Sequence, residues 1–154
     1  MITFSRSKLV GVERLDENTL LAHGVLEDFI YAMELDVSVK QPDFEIVDIK
    51  GRMKRVTTPV CDQAIPKLQN AVGLRIPEDE FARKIHRVVG KEGCTHFANL
   101  LVECCDAIMQ TAIYENIQQA PNKHDFLKEK TRSIPSLKES CVFYSKMAET
   151  TMGG

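Results

Sequence analysis

Residues 29–40 read Phe-Ile-Tyr-Ala-Met-Glu-Leu-Asp-Val-Ser-Val-Lys, with a regular alternation along the whole stretch. Successive side chains of a β-strand point to opposite faces, so the pattern predicts a half-buried strand. Its predicted inward residues are Phe29, Tyr31, Met33, Leu35, Val37 and Val39. Gln41-Pro42-Asp43 then predicts a turn, and residues 44–56 predict a partner strand with Val47, Ile49 and Met53 on one face. Because the turn is short, we expect antiparallel pairing.

The chain before this pair also favours β-structure. Leu9-Val10-Gly11-Val12 is consistent with a short strand, and Asp16-Glu17-Asn18 predicts a turn. The apolar character continues from Thr19 to Val25. Together these segments predict an antiparallel β-meander in the first third of the chain.

After Val56 the apolar period changes from two to about 3.6, which indicates helices. Thr58-Pro59 predicts a first helix, kinked at Pro66 and closed by Gly73, with Cys61, Ile65, Leu68 and Val72 on one face. A second is predicted from Pro77 to Val89, with Phe81, Ile85, Val88 and Val89 inward and Gly90 at its end. A third begins at Gly93-Cys94, with a core stripe of Phe97, Leu100, Leu101, Cys104, Ile108, Ala112 and Ile113.

This order predicts an α+β fold in which three helices pack on one face of the sheet. We expect residues 1–120 to form this single domain and residues 121–154 to form a polar extension. In the extension, Asn122 to Pro135 predicts an extended connection. Leu137, Cys141, Tyr144 and Ala148 predict one short amphipathic helix, and Glu149 to Gly154 a frayed end.

Composition limits the function. The 154 residues are 44% hydrophobic, enough for one domain with a core. A formal charge of -2 and a pI near 6.1 argue against nucleic acid as a partner. No signal peptide or membrane span is visible, so we expect a soluble, cytoplasmic protein. The odd count of five cysteines favours a reducing compartment over a disulfide framework.

Gly93-Cys94-Thr95-His96 carries the clearest candidate chemistry. Inside a helix, Cys94 and His96 would point about 200° apart, because each residue turns the helix by about 100°. They can share a site only at the helix mouth, with Cys94 as the cap residue and His96 in the first turn. The helix dipole favours a thiolate at that position.

The chain resembles the bacterial family called domain of unknown function 2889. That family's pattern has an acidic residue between strands, a Cys before a helix and a Gly-Cys-x-His near the end. Asp28, Cys61, Cys94 and His96 match it, and the resemblance spans roughly Thr19 to Ile117. It implies no established activity.

The layout is also similar to the iron-sulphur scaffold proteins of the NifU/IscU type, and the SufE/NifU-like fold is what this resemblance implies. Leu26-Glu27-Asp28 falls where those scaffolds carry Cys-Gly-Asp, Cys61 at their second Cys, and Gly93-Cys94 at their His-Cys. Leu26 replaces the first Cys, Gly93 replaces the His, and His96 is new. The resemblance therefore implies a metal site of Asp28, Cys61, Cys94 and His96 in place of three thiolates.

Two thiolates, an imidazole and a carboxylate suit four-coordinate zinc or iron. The leading hypothesis is an accessory or carrier protein for such an ion or an iron-sulphur centre, with a protein client; a homo-oligomer is left open. One rival is an enzyme in which Cys94 attacks a thioester or acyl group, or a metal activates water. Another is a metal-free interaction domain in which Cys61 is a buried small residue, Cys94 a helix cap, His96 a surface residue and Asp28 part of a turn.

Overall fold

The protein is described by a computed structural model, which covers residues 1–134, 137 and 140–149. The chain divides into two compact units, Met1–Gln110 and Thr111–Gly154. The first contains the sheet and every candidate site residue. None of the helices in the described part is long and apolar enough to cross a membrane.

The sheet has four antiparallel strands in the order of the chain. They are β1 (Arg6–Arg14), β2 (Thr19–Asp28), β3 (Ala32–Lys40) and β4 (Glu45–Arg55). The predicted β-meander is confirmed, and the fold is α+β. β1 and β4 are the edge strands, so β1 pairs with β2 alone.

One face of the sheet forms the core, as the alternation in β3 predicts. The inward residues of β2 to β4 are buried, among them Leu20, Ala22, Leu26, Met33, Leu35, Val37, Val39, Ile46 and Ile49. Phe29 was predicted inward and this is wrong, because it is 65% exposed. The chain turns at this point: the Asp28 carboxylate accepts the N–H groups of Ile30 and Tyr31. The strand therefore begins only at Ala32.

The predicted inward position of Val47 is also wrong, because Ile46 is buried there and Val47 is 38% exposed. The pairing register between β3 and β4 shifts between Ser38 and Val39. A one-residue change of register moves the side chains of a strand to the opposite face. Ile49 lies before the shift and faces inward as predicted.

The first helix runs from Pro59 to Ala71 and has 3₁₀ geometry. Its buried residues are Ala64, Leu68 and Ala71, whereas Val72, predicted inward, is 39% exposed. The three buried residues are spaced by four and then three positions, and of them Leu68 alone belongs to the predicted face. Pro66, inside the helix, lacks the N–H that an α-helix would use there. Gly73 ends the helix with a φ of 90°, as predicted.

The second helix begins later than predicted, at Phe81. It is α-helical in α1 (Phe81–Ile85) and continues as a π-helix over His86–Lys91. Phe81, Ile85 and Val89 are buried as predicted. The third helix, α2, spans Thr95–Gln119, and its predicted stripe from Phe97 to Ile113 is buried.

Two glycines on the inner face of the sheet allow helices to approach closely. A Cβ on Gly24 would lie 2.6 Å from Cys104 Sγ in α2. A Cβ on Gly51 would lie 2.3 Å from Leu68 Cδ1 of the 3₁₀ helix and 3.1 Å from Phe97 Cζ. The 3₁₀ helix and α2 therefore pack against the same face of the sheet.

In the second unit, the predicted extended connection over Asn122 to Pro135 is wrong. The helix α3 spans Lys123–Ser133. The Asn122 side chain caps it by accepting the N–H groups of His124 and Asp125, and basic residues lie in its last turn. A further helix, α4, spans Val142–Glu149 and contacts α3. Leu137 and Cys141, predicted to belong to that helix, precede it; the predicted frayed end after Glu149 lies outside the described residues.

Candidate functional site

Cys94 is the residue that caps the start of α2. Its carbonyl oxygen accepts the N–H of Ala98 at 3.0 Å, and the helix itself begins at Thr95. His96 lies in the first turn, and its Nδ1 is 3.9 Å from Cys94 Sγ. The predicted placement of these two residues at the helix mouth is confirmed.

Asp28 closes the turn between β2 and β3. Its Oδ1 accepts the N–H of Ile30 at 2.7 Å and of Tyr31 at 2.6 Å. Its Oδ2 accepts Arg6 Nε at 2.7 Å, and the Asp28 side chain is fully buried in this ion pair. Desolvation raises the pKa of Asp28, but the two backbone N–H groups and Arg6 outweigh it and lower that pKa to about 2.

Arg6 connects Asp28 to His96. The register of β1 and β2 places Arg6 directly opposite Asp28. Its Nη2 also lies 3.3 Å from His96 Nε2, so a polar chain runs from the buried carboxylate through the guanidinium and the imidazole to the thiol. We call Asp28, Arg6, His96 and Cys94 the polar chain.

The protonation of His96 follows from this geometry. A guanidinium can only donate, so His96 Nε2 must accept from Arg6. The ring proton of the neutral imidazole then lies on Nδ1, which faces Cys94 Sγ. Burial and the charge of Arg6 lower the pKa of His96, against an opposite effect of Asp28, and so favour the neutral ring. His96 is thus arranged to donate a hydrogen bond to the Cys94 sulfur.

A pocket of about 360 Å³ opens beside this helix mouth. Cys61, Cys94 and His96 line it together, so the structure brings three of the four predicted ligands to one pocket. Asp28 lines a different cleft, with Ser5, Ser7, Glu27, Phe29 and Arg55.

Cys61 lies in the first turn of the 3₁₀ helix. Its Sγ is 3.7 Å from Thr57 Oγ1 and 3.8 Å from Thr58 Oγ1. Hydrogen bonds from the Thr57 hydroxyl, then from the backbone and hydroxyl of Thr58, lower the pKa of Cys61. By contrast, burial raises the pKa of Cys104 to about 12 and also raises the pKa of Cys105 well above its usual value. Cys104 and Cys105 are core residues, as the apolar stripe predicts.

The predicted four-ligand metal site is not assembled in this arrangement. In the part of the chain that the structure describes, no three His, Cys, Asp or Glu side chains converge to hold an ion. The Asp28 oxygens are taken by Arg6 and two N–H groups, and both nitrogens of His96 face other partners. The sulfur atoms of Cys61 and Cys94 also have hydrogen-bonding neighbours, the Thr57 and Thr58 hydroxyls and His96 Nδ1. The metal set stays a prediction, and His96 could join it only after Arg6 moves.

Sequence reasoning missed Arg6 and Tyr31. The Tyr31 ring packs on the His96 ring with centroids 4.4 Å apart, and it lines the pocket. Arg6 could have been found from the predicted turn at Asp16-Glu17-Asn18, because Arg6 and Asp28 are equally distant from Glu17. Opposite charges at such paired positions attract each other.

The fold and the site define a class: an α+β protein with a pocket that is lined by two cysteines, each at the start of a helix. Residues 13–110 match the family described as Protein of unknown function (DUF2889). The chain belongs to this family. No curated protein and no solved structure matches the chain significantly. The similarity to NifU/IscU scaffolds therefore stays a prediction.

Proposed function

We propose that Cys94 acts as a thiolate that accepts a small acyl group from a thioester. The observation that carries this proposal is the polar chain. Because Arg6 occupies Nε2 of His96, the Nδ1–H is directed at the sulfur. The Cys94 sulfur therefore has a hydrogen-bond donor beside it at the N-terminus of α2.

The proposed reaction exchanges one thiolate for another. Cys94 Sγ attacks the carbonyl carbon, the Sγ–C bond forms, and the C–S bond of the incoming thioester breaks. The electron pair of that bond leaves with the departing thiolate, so no net proton transfer is required. The pocket therefore needs no second acid–base pair. The free N–H groups in the first turn of α2 suit the negative oxygen of the tetrahedral intermediate.

A direct test uses the acetyl thioester of N-acetylcysteamine and mass spectrometry of the intact protein and its peptides. We expect one acetyl group on Cys94, no adduct in Cys94→Ser, and an unchanged adduct in the matched control Cys141→Ser. Cys141 is an exposed thiol and reports ordinary surface reactivity. Acetylation of Cys94 no faster than of Cys141 would contradict the proposal.

A second candidate function is binding of a thiophilic metal ion, zinc or iron, by an accessory or carrier protein. The observation that favours it is that Cys61 and Cys94 line one pocket. In this candidate His96 becomes the third ligand and Asp28 a labile fourth, and both require Arg6 to be displaced. An iron-sulphur centre and a protein client belong to the same candidate.

Elemental analysis of protein purified without a polyhistidine tag separates the two candidates. The metal candidate expects about one ion per chain, lost in the Cys61→Ser/Cys94→Ser double variant. Metal absent from both proteins removes this candidate and leaves the acyl proposal intact. For either function we propose a cytoplasmic location, which the free state of all five cysteines supports.

A further inference from the structure

The pocket beside Cys94 has walls of mixed chemistry. Met53, Val60 and Ala64 supply apolar surface, and Thr58 and Gln63 supply polar groups. Its charged lining residues are Lys67 and Glu92. Within the described residues neither of them makes an ion pair, although most charged side chains on the outer face of the sheet are paired.

The stem of Lys67 lies next to Gly93, the residue before Cys94. A Cβ on Gly93 would lie 2.9 Å from Lys67 Cβ and 3.2 Å from Lys67 Cγ, so the stem packs on the residue that precedes Cys94. Gly93 allows this close approach because it has no side chain. Lys67 and Cys94 therefore line the same pocket.

We propose that this pocket selects acyl thioesters whose acyl group carries its own carboxylate, and that Lys67 pairs with that carboxylate. The inference rests on the proposed acyl transfer to Cys94 and names its substrate class. A volume of about 360 Å³ is near the lower end of the range for ligand pockets, so it suits a short acyl group. Glu92 disfavours a second negative charge on the same ligand.

Two alkylating reagents of nearly equal size test the charge preference without any acyl transfer. Iodoacetate carries a carboxylate, and iodoacetamide is neutral. For each, the alkylation rate of Cys94 is measured by peptide mass spectrometry in a Cys61→Ser background. Cys141 in the same sample gives the reference ratio of the two rates.

We expect the iodoacetate-to-iodoacetamide ratio for Cys94 to exceed that for Cys141 by about two- to five-fold at low salt and to fall as salt is added. Lys67→Gln removes the excess, and Glu92→Gln increases it. Lys91→Gln, which neutralises an exposed lysine outside the pocket, leaves it unchanged. A ratio for Cys94 equal to that for Cys141, or one insensitive to Lys67→Gln, overturns the inference.

The two proposals fail separately. If Cys94 accepts acetyl but shows no preference for iodoacetate, the acyl proposal stands and the substrate class is wrong. If the preference is present but no thioester acylates Cys94, the pocket binds anions and the acyl proposal is wrong. Glutaryl and glutaramyl thioesters of N-acetylcysteamine test acyl transfer and the charge preference in one experiment. We expect the charged glutaryl group to transfer to Cys94 faster than the neutral glutaramyl group, and only while Lys67 is present.

Discussion

Arg6 and His96 lie 90 positions apart in the chain, yet Arg6 Nη2 and His96 Nε2 are only 3.3 Å apart. Arg6 comes from the edge strand β1 and His96 from the first turn of α2. The contact determines which imidazole nitrogen carries the proton. It therefore also determines whether the Cys94 sulfur faces an N–H group on Nδ1.

Replacing Arg6 by Met should release His96 Nε2. The pKa of His96 then rises, because the guanidinium charge that helps to lower it is gone. Nitrogen NMR of the imidazole should show mainly the Nδ1–H form in the original protein and a larger Nε2–H population in the variant. We also expect alkylation of Cys94 at pH 7 to slow by up to about ten-fold. Lys8→Met, on the same strand, is the control; an unchanged His96 spectrum in Arg6→Met would contradict the assigned tautomer.

Asp28→Asn should change how stability depends on acid. The folded pKa of Asp28 is about 2, below the ordinary value of 3.8. Its contribution to stability is therefore fully present above pH 3.8 and is lost as the pH falls towards 2. The variant should melt at a lower temperature than the original protein at pH 7. Between pH 3.8 and pH 2 its melting temperature should fall less than that of the original protein. Asp48→Asn, a change at an exposed ion pair, should follow the original protein.

Thr57→Val should make Cys61 harder to ionise. The Thr57 hydroxyl is the largest cause of the lowered pKa of Cys61, so its removal raises that pKa. The measurement is the pH dependence of iodoacetamide alkylation at Cys61 in a Cys94→Ser background. Thr57→Ser keeps a hydroxyl and should leave the midpoint in place; if both variants behave alike, the hydroxyl is not the cause.

Gly51→Ala should destabilise the first unit. The new methyl group would lie 2.3 Å from Leu68 Cδ1 and 3.1 Å from Phe97 Cζ, so the buried Leu68 side chain or the 3₁₀ helix must move. Overpacking of this kind costs roughly 1–3 kcal/mol, which denaturant unfolding can measure. Gly11→Ala is the matched control, because no atom lies within 4 Å of its new Cβ. An equal decrease in the free energy of unfolding in the two variants would show that packing against the helices does not cause the destabilisation of Gly51→Ala.

The spacing of apolar residues within single strands and helices could predict most of the fold. The alternation in β3 and the stripe from Phe97 to Ile113 each place residues relative to one face of one element, and both are confirmed. The failures involve information from outside the element. The face of Val47 depends on a register shift against β3. The helix α3 has a polar sequence, and it was missed because its signal is the Asn122 cap and not an apolar stripe.

The site could be predicted in part for the same reason. Cys94 and His96 are neighbours in the chain, and the predicted helix start places Cys94 at the cap and His96 in the first turn. The similarity to NifU/IscU scaffolds implied that Cys61 and Cys94 share a site, and both line the same pocket. Arg6 and Lys67 come from distant segments and have no motif of their own. The predicted turn at Asp16-Glu17-Asn18 could have pointed to Arg6, and the packing of Lys67 on Gly93 becomes visible in the structure.

The position of Arg6 in an edge strand has a dynamic consequence. β1 is held by one neighbouring strand, and most of its residues are exposed, so its local opening costs less than opening β2 or β3. Each such excursion withdraws the guanidinium, while Asp28 and Cys94 remain anchored in their own elements. No residue of β1 lines the pocket. Amide hydrogen exchange in β1 should nevertheless report how often His96 loses its contact with Arg6 and can move its proton to Nε2.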